Sequence, residues 1–92
     1  MARLNDQEIE ERLSGLDGWE RSGEAIVKGF DNGDFKGSVE FVNRLMPEAE
    51  DMNHHPDLEI SWKDVTVTIT SHSEGGLTEN DFELARRIDA LG

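Results

Sequence analysis

Ninety-two residues suffice for one hydrophobic core but not for two, so residues 1–92 are expected to form a single domain. Twenty-one acidic side chains against nine basic ones give a formal charge of −12, which repels phosphate backbones and anionic lipid headgroups and argues against nucleic-acid or membrane partners. The chain has no cysteine, no apolar run near the ~20 residues that cross a bilayer, and an N-terminus that turns acidic at once; thiolate chemistry, membrane spans and export signals drop out, and a cytoplasmic location is expected.

Asn5-Asp6-Gln7-Glu8 has the form of an N-cap with a glutamate at the third helical position, and it predicts a first helix of about ten residues that carries Ile9 and Leu13 and ends near Gly15. Leu16 continues the spacing. Trp19 to Ser22 and Ala25 to Phe30 read as two short strands joined across Gly23-Glu24. After the break at Asn32-Gly33-Asp34, steps of three and four link Phe35, Val39, Val42, Met46 and Ala49, the expected core stripe of the longest helix. Phe41 and Leu45 lie outside that stripe and are expected to form a second sticky surface for another subunit. Pro47 removes a backbone hydrogen bond, so the helix either kinks there or breaks, with Pro47 opening a short new turn.

Further along, Leu58, Ile60 and Trp62 alternate with polar residues, as do Val65, Val67 and Ile69, which predicts two half-buried strands. A turn at Lys63-Asp64 would set Trp62 opposite Val65 and gather both apolar sets on one face, with the threonines on the other. Thr78-Glu79-Asn80-Asp81 reads as a capping box with Asp in the glutamate place, followed by Leu84, Ala85, Ile88 and Leu91 as the inner stripe of a last helix. The order αββαββα predicts an α+β fold: a four-stranded antiparallel sheet with three helices on one face.

All three histidines, His54, His55 and His72, fall within 19 positions. Imidazole ordinarily titrates at roughly 6.5, so such a group is suited to moving protons near neutrality. Glu50, one helical turn before His54, is placed to fix an imidazole tautomer or favour its charged form. Pro56 restricts His55 to an extended backbone and turns the pair off the helix end. Strict alternation from Thr70 puts His72 on the threonine face. Plainer readings stand beside these: a solvated turn for a histidine pair standing alone, core packing for Trp62, and helix capping for Asp81. Glu50, His54, His55 and His72 also have the donor atoms of a metal site, but neighbouring histidines diverge and helical metal pairs sit three or four residues apart, so no metal is expected.

Glu50, three residues, His54-His55-Pro56, five residues, Trp62, nine residues, His72, eight residues and Asp81 together resemble the signature of the pterin-4a-carbinolamine dehydratase family. Phe30, Phe35, Phe41-Val42-Asn43-Arg44 and Gly76-Leu77-Thr78 are also similar to their counterparts there, so the resemblance covers nearly the whole chain. It implies a hydro-lyase that removes water from a 4a-hydroxytetrahydropterin to give the quinonoid dihydropterin. The pterin is then the substrate, and no separate cofactor is expected. His54, His55 and His72 are the implied catalytic set, with His55 orienting the ligand, and Glu50, Pro56 and Trp62 bind or orient it. Animal members of the family also serve as a dimerisation cofactor for a homeodomain transcription factor, which keeps a non-catalytic pterin- or protein-binding module as the alternative. The resemblance further implies a homotetramer, in which edge-paired dimers meet through the helix that carries Phe41 and Leu45.

Overall fold

Three helices and four strands follow one another as α1 (Asp6–Leu13), β1 (Glu20–Ser22), β2 (Ala25–Asp31), α2 (Phe35–Met52), β3 (Asp57–Ser61), β4 (Asp64–Ile69) and α3 (Glu79–Asp89), in a computed structural model that describes residues 2–91. A 3-10 turn at His72–Glu74 links β4 to α3. The strands pair antiparallel in the order β1-β2-β4-β3, so the expected α+β architecture is the observed one. Ile26, Val65, Val67 and Ile69 are fully buried on the helix side of the sheet, together with Ile9, Phe82, Leu84, Ala85 and Ile88. Thr66 and Thr68 alternate onto the open face. Among the described residues no helix is long and apolar enough to cross a membrane.

Local chemistry starts each helix. Asn5 accepts the Glu8 amide at 2.8 Å while the Glu8 carboxylate takes the Asn5 amide at 2.9 Å, the reciprocal cap expected for α1. Asp34 caps α2 by accepting the Gly37 amide at 2.6 Å. Gly37 is needed at that turn because an added Cβ would fall on the Asn32 carbonyl oxygen. α2 then runs unbroken through Pro47, so of the two expectations, a kink or a break, the break does not occur. Pro47 is exposed, which leaves water to satisfy the carbonyl its ring cannot serve.

The inner face of α2 is rotated from the one expected: Ala49 and Val42 keep their core side, but the other assignments exchange. Phe41 and Leu45 are buried in the subunit's own core, at 5% and 2% exposure, with Ser38 and Ala49 beside them. Phe35, Val39 and Met46 are exposed, at 59%, 38% and 54%. Val42 lies half-buried against the core. Both stripes have helical spacing and share Ala49, and counting apolar residues favours the wrong one because the true inner face includes Ser38. That serine is tolerated inside because its hydroxyl donates to the Trp62 carbonyl at 2.8 Å.

The β3–β4 register is also shifted by two residues. Trp62-Lys63 forms the turn, and Ile60 pairs with Val65 and Leu58 with Val67. A two-residue slip preserves side-chain parity, so both apolar sets still share the helix-side face. Trp62 takes a φ of 53° as the first turn residue, and it is 66% exposed instead of packed in the core. Lys63 secures this turn: its ammonium lies 2.8 Å from Asp31 and 3.3 Å from Asp64, and its carbonyl accepts the Asn32 amide at 2.7 Å. β3 is an edge strand, and its helix-side residues Leu58 and Ile60 remain partly open to solvent.

Candidate functional site

α2 ends at Asn53, which adopts the left-handed conformation at φ 49° and ψ 44°. Asparagine enters that region more readily than most residues, and the reversal lets the His54 amide bond back to the Ala49 carbonyl at 3.0 Å. The chain thus leaves the helix axis at the first histidine, and the half-buried Pro56 carries it into β3. On leaving α2, His54 meets α3. Its Nε2 lies 2.6 Å from Oδ1 of Asp81, a carboxylate with no exposed surface.

Asp81 is placed by its own helix cap. Its Oδ2 accepts the Thr78 amide at 2.8 Å and also the Ser71 hydroxyl at 2.8 Å. Ser71 Oγ and Thr78 Oγ1 are 2.9 Å apart, and since Ser71 gives its one hydrogen to Asp81, it must accept from Thr78. A buried carboxylate is costly unless its lone pairs are used, and here two donors and the His54 imidazole, from three segments, converge on it. Among the described residues no buried side-chain nitrogen or oxygen lacks a partner.

The remaining expected site residues are dispersed around this cluster. Glu50 pairs with Nε2 of His55, not with His54 as its one-turn spacing suggested, and both partners are largely exposed. His72 begins the 3-10 turn and faces solvent. It lies beyond the end of β4, yet its exposure beside the buried Ser71 still follows the strand's alternation. Its neighbour Ser71, buried on the helix side, ties its backbone to the carboxylate that binds His54. Trp62 is not gathered here: five residue steps separate it from Asp57, roughly 17 Å along the strand direction. Among the described residues no three histidine or carboxylate side chains converge as a metal-binding group.

Two residues of the cluster do more than their sequence positions indicate. Asp81 caps α3 as expected, but its second oxygen serves His54. Ser71 belongs to no motif, and the one sequence signal for it is alternation through Val65, Val67 and Ile69, which points it inward.

A profile of the family described as pterin 4 alpha carbinolamine dehydratase matches residues 2–91. A protein of Thermosynechococcus vestitus is 47% identical over 97% of this chain and 94% of its own length, and one of Sulfurisphaera tokodaii is 45% identical over 99% and 98%. Both carry the name pterin-4-alpha-carbinolamine dehydratase as a provisional assignment. Among solved structures, a transcriptional coactivator/pterin dehydratase from Brucella melitensis superposes with a TM-score of 0.92 at 37% identity, covering 97% of each chain. A pterin dehydratase-like protein identified as a RuBisCO assembly factor in the alpha-carboxysome superposes at 0.69, with 25% identity over 80% of this chain and 88% of its own. The chain belongs to the pterin-4-alpha-carbinolamine dehydratase family.

Proposed function

We propose that this member of the family is a dehydratase acting on a 4a-hydroxytetrahydropterin, with His54 and His72 as the proton-transfer groups. The reaction breaks the C4a–O bond. The departing hydroxyl takes up a proton and leaves as water, while a ring-nitrogen lone pair forms the new C=N bond and that nitrogen gives up its proton. One donor and one acceptor are enough, and imidazoles suit both roles near neutrality. The observation that carries this reading is the His54–Asp81 bond: a buried carboxylate that already accepts two other bonds holds one imidazole by Nε2 at the mouth of α2. His55, turned by Pro56 and held by Glu50, is assigned to orienting the ligand. The pterin is substrate, and the reading requires neither a metal nor a second cofactor.

Replacing His54 or His72 by alanine is expected to lower the dehydration rate by ~10²–10⁴-fold with the fold retained. His55→Ala is expected to act mainly on KM. Full activity in the His54 and His72 variants would overturn the assignment. Wild-type protein that binds a pterin without turning it over would instead place the chain with the non-catalytic members of its fold.

The same reading takes the active form as a cytoplasmic homo-oligomer, a tetramer by family likeness. Its helix contact is assigned to the exposed Phe35, Val39 and Met46, since Phe41 and Leu45 are spent inside the subunit.

A further inference from the structure

We infer that Asp81 is a positioning residue with two linked tasks: it fixes His54 in the Nε2–H tautomer, and through Ser71 it ties the turn carrying His72 to the same anchor. The relevance to turnover rests on the dehydratase reading above; the geometry does not. Asp81 already accepts two bonds at Oδ2, and with Oδ1 accepting as well the 2.6 Å contact puts a hydrogen on Nε2 of His54. Neutral His54 therefore keeps its lone pair at Nδ1, the nitrogen left for a ligand. The other oxygen, Oδ2, holds the Thr78 amide and the Ser71 hydroxyl, both at 2.8 Å.

Ser71 immediately precedes His72, and its backbone organises that turn. Its carbonyl accepts the Glu74 amide at 3.0 Å and the Gly76 amide at 3.4 Å, and it forms an isolated bridge with Gly76. A shift of the Asp81 carboxylate therefore moves His54 directly and the His72 turn through one hydroxyl. Glu50, the carboxylate that sequence spacing offered for the first task, is occupied with His55.

Asp81→Asn is the informative change because an amide has only one accepting oxygen. Turned one way it satisfies His54 and sets an N–H2 group against the Thr78 amide and Ser71 hydroxyl. Turned the other way it loses His54. Long-range ¹H–¹⁵N correlation of the imidazoles at about pH 8, above the ordinary histidine range of ~6.5, reads the tautomers without substrate. The expected wild-type result is Nε2–H for His54; Asp81→Asn should give a mixture of tautomers, with kcat lowered at least about tenfold and KM changed far less. Ser71→Ala, the variant less exposed to misfolding, should preserve the His54 tautomer while shifting the His72 ring signals and lowering kcat. Nδ1–H for wild-type His54 would overturn the first task, as would an unaltered kcat in an Asp81→Asn protein whose tautomers have mixed. Unmoved His72 signals in Ser71→Ala would overturn the second. Expected ring signals without any wild-type turnover would remove the dehydratase reading and leave the Asp81 geometry standing.

Discussion

His54 and His55 are adjacent in the chain, yet each answers to a different carboxylate in a different environment. His54 is largely buried against the fully buried Asp81, whereas His55 and Glu50 form a solvent-exposed pair. Exposed pairs contribute ~0–1 kcal/mol, while an unsatisfied buried donor costs about 1–3 kcal/mol. Glu50→Gln is therefore expected to change unfolding free energy by less than about 1 kcal/mol in a denaturant titration. Asp81→Ala, which strands a backbone amide, a hydroxyl and an imidazole N–H, is expected to cost several times as much; equal losses would contradict the assigned environments. The histidines, Pro56 and the acidic residues were legible because their spacing is a local signal. Which carboxylate serves which imidazole was not, since the His54 partner lies 27 positions away and sequence spacing favoured the nearer Glu50.

At the scale of elements, sequence pattern fixed the types and nearly all the boundaries, while facing and register depended on tertiary contacts. Both caps, the hairpin positions and the closing helix were readable from residues within one or two turns of each other. The facing of α2 is not legible because Ser38 sits on its inner face, and its compatibility depends on a carbonyl in the β3–β4 turn. The hairpin register is not legible because two-residue turns at 62–63 and 63–64 are both compatible with alternation, and the choice is made by the Lys63 contacts to Asp31 and Asn32. The corrected facing has a direct consequence. Leu45→Ala should lower stability by about 2–5 kcal/mol, the cost of a cavity in a packed core, whereas Met46→Ala should cost the isolated subunit little. Thermal unfolding of the two variants at matched concentration separates them, and similar midpoints would contradict the assignment.

For the molecule as a whole, two features pull in opposite directions. Phe35, Val39 and Met46 leave an apolar stripe on one helix, and Leu58 and Ile60 leave another on an edge strand. Each subunit also carries −12, so four together would carry about −48. Salt screens that repulsion without weakening apolar burial, and the apparent mass is expected to rise with ionic strength. Light scattering across a salt series should find an oligomer that Val39→Glu dissociates; a 10.3 kDa species at every salt concentration would contradict the proposed assembly. The family's solved relatives include both a protein described as a pterin dehydratase and one identified as a RuBisCO assembly factor, so fold and size leave chemistry to be decided by the site. The most direct measurement is the rate at which freshly generated 4a-hydroxytetrahydropterin becomes quinonoid dihydropterin, followed by absorbance with wild-type protein, the His54→Ala/His72→Ala double variant, and buffer. The account predicts acceleration by wild type and a double variant near the buffer rate; wild-type and buffer rates that coincide would contradict it.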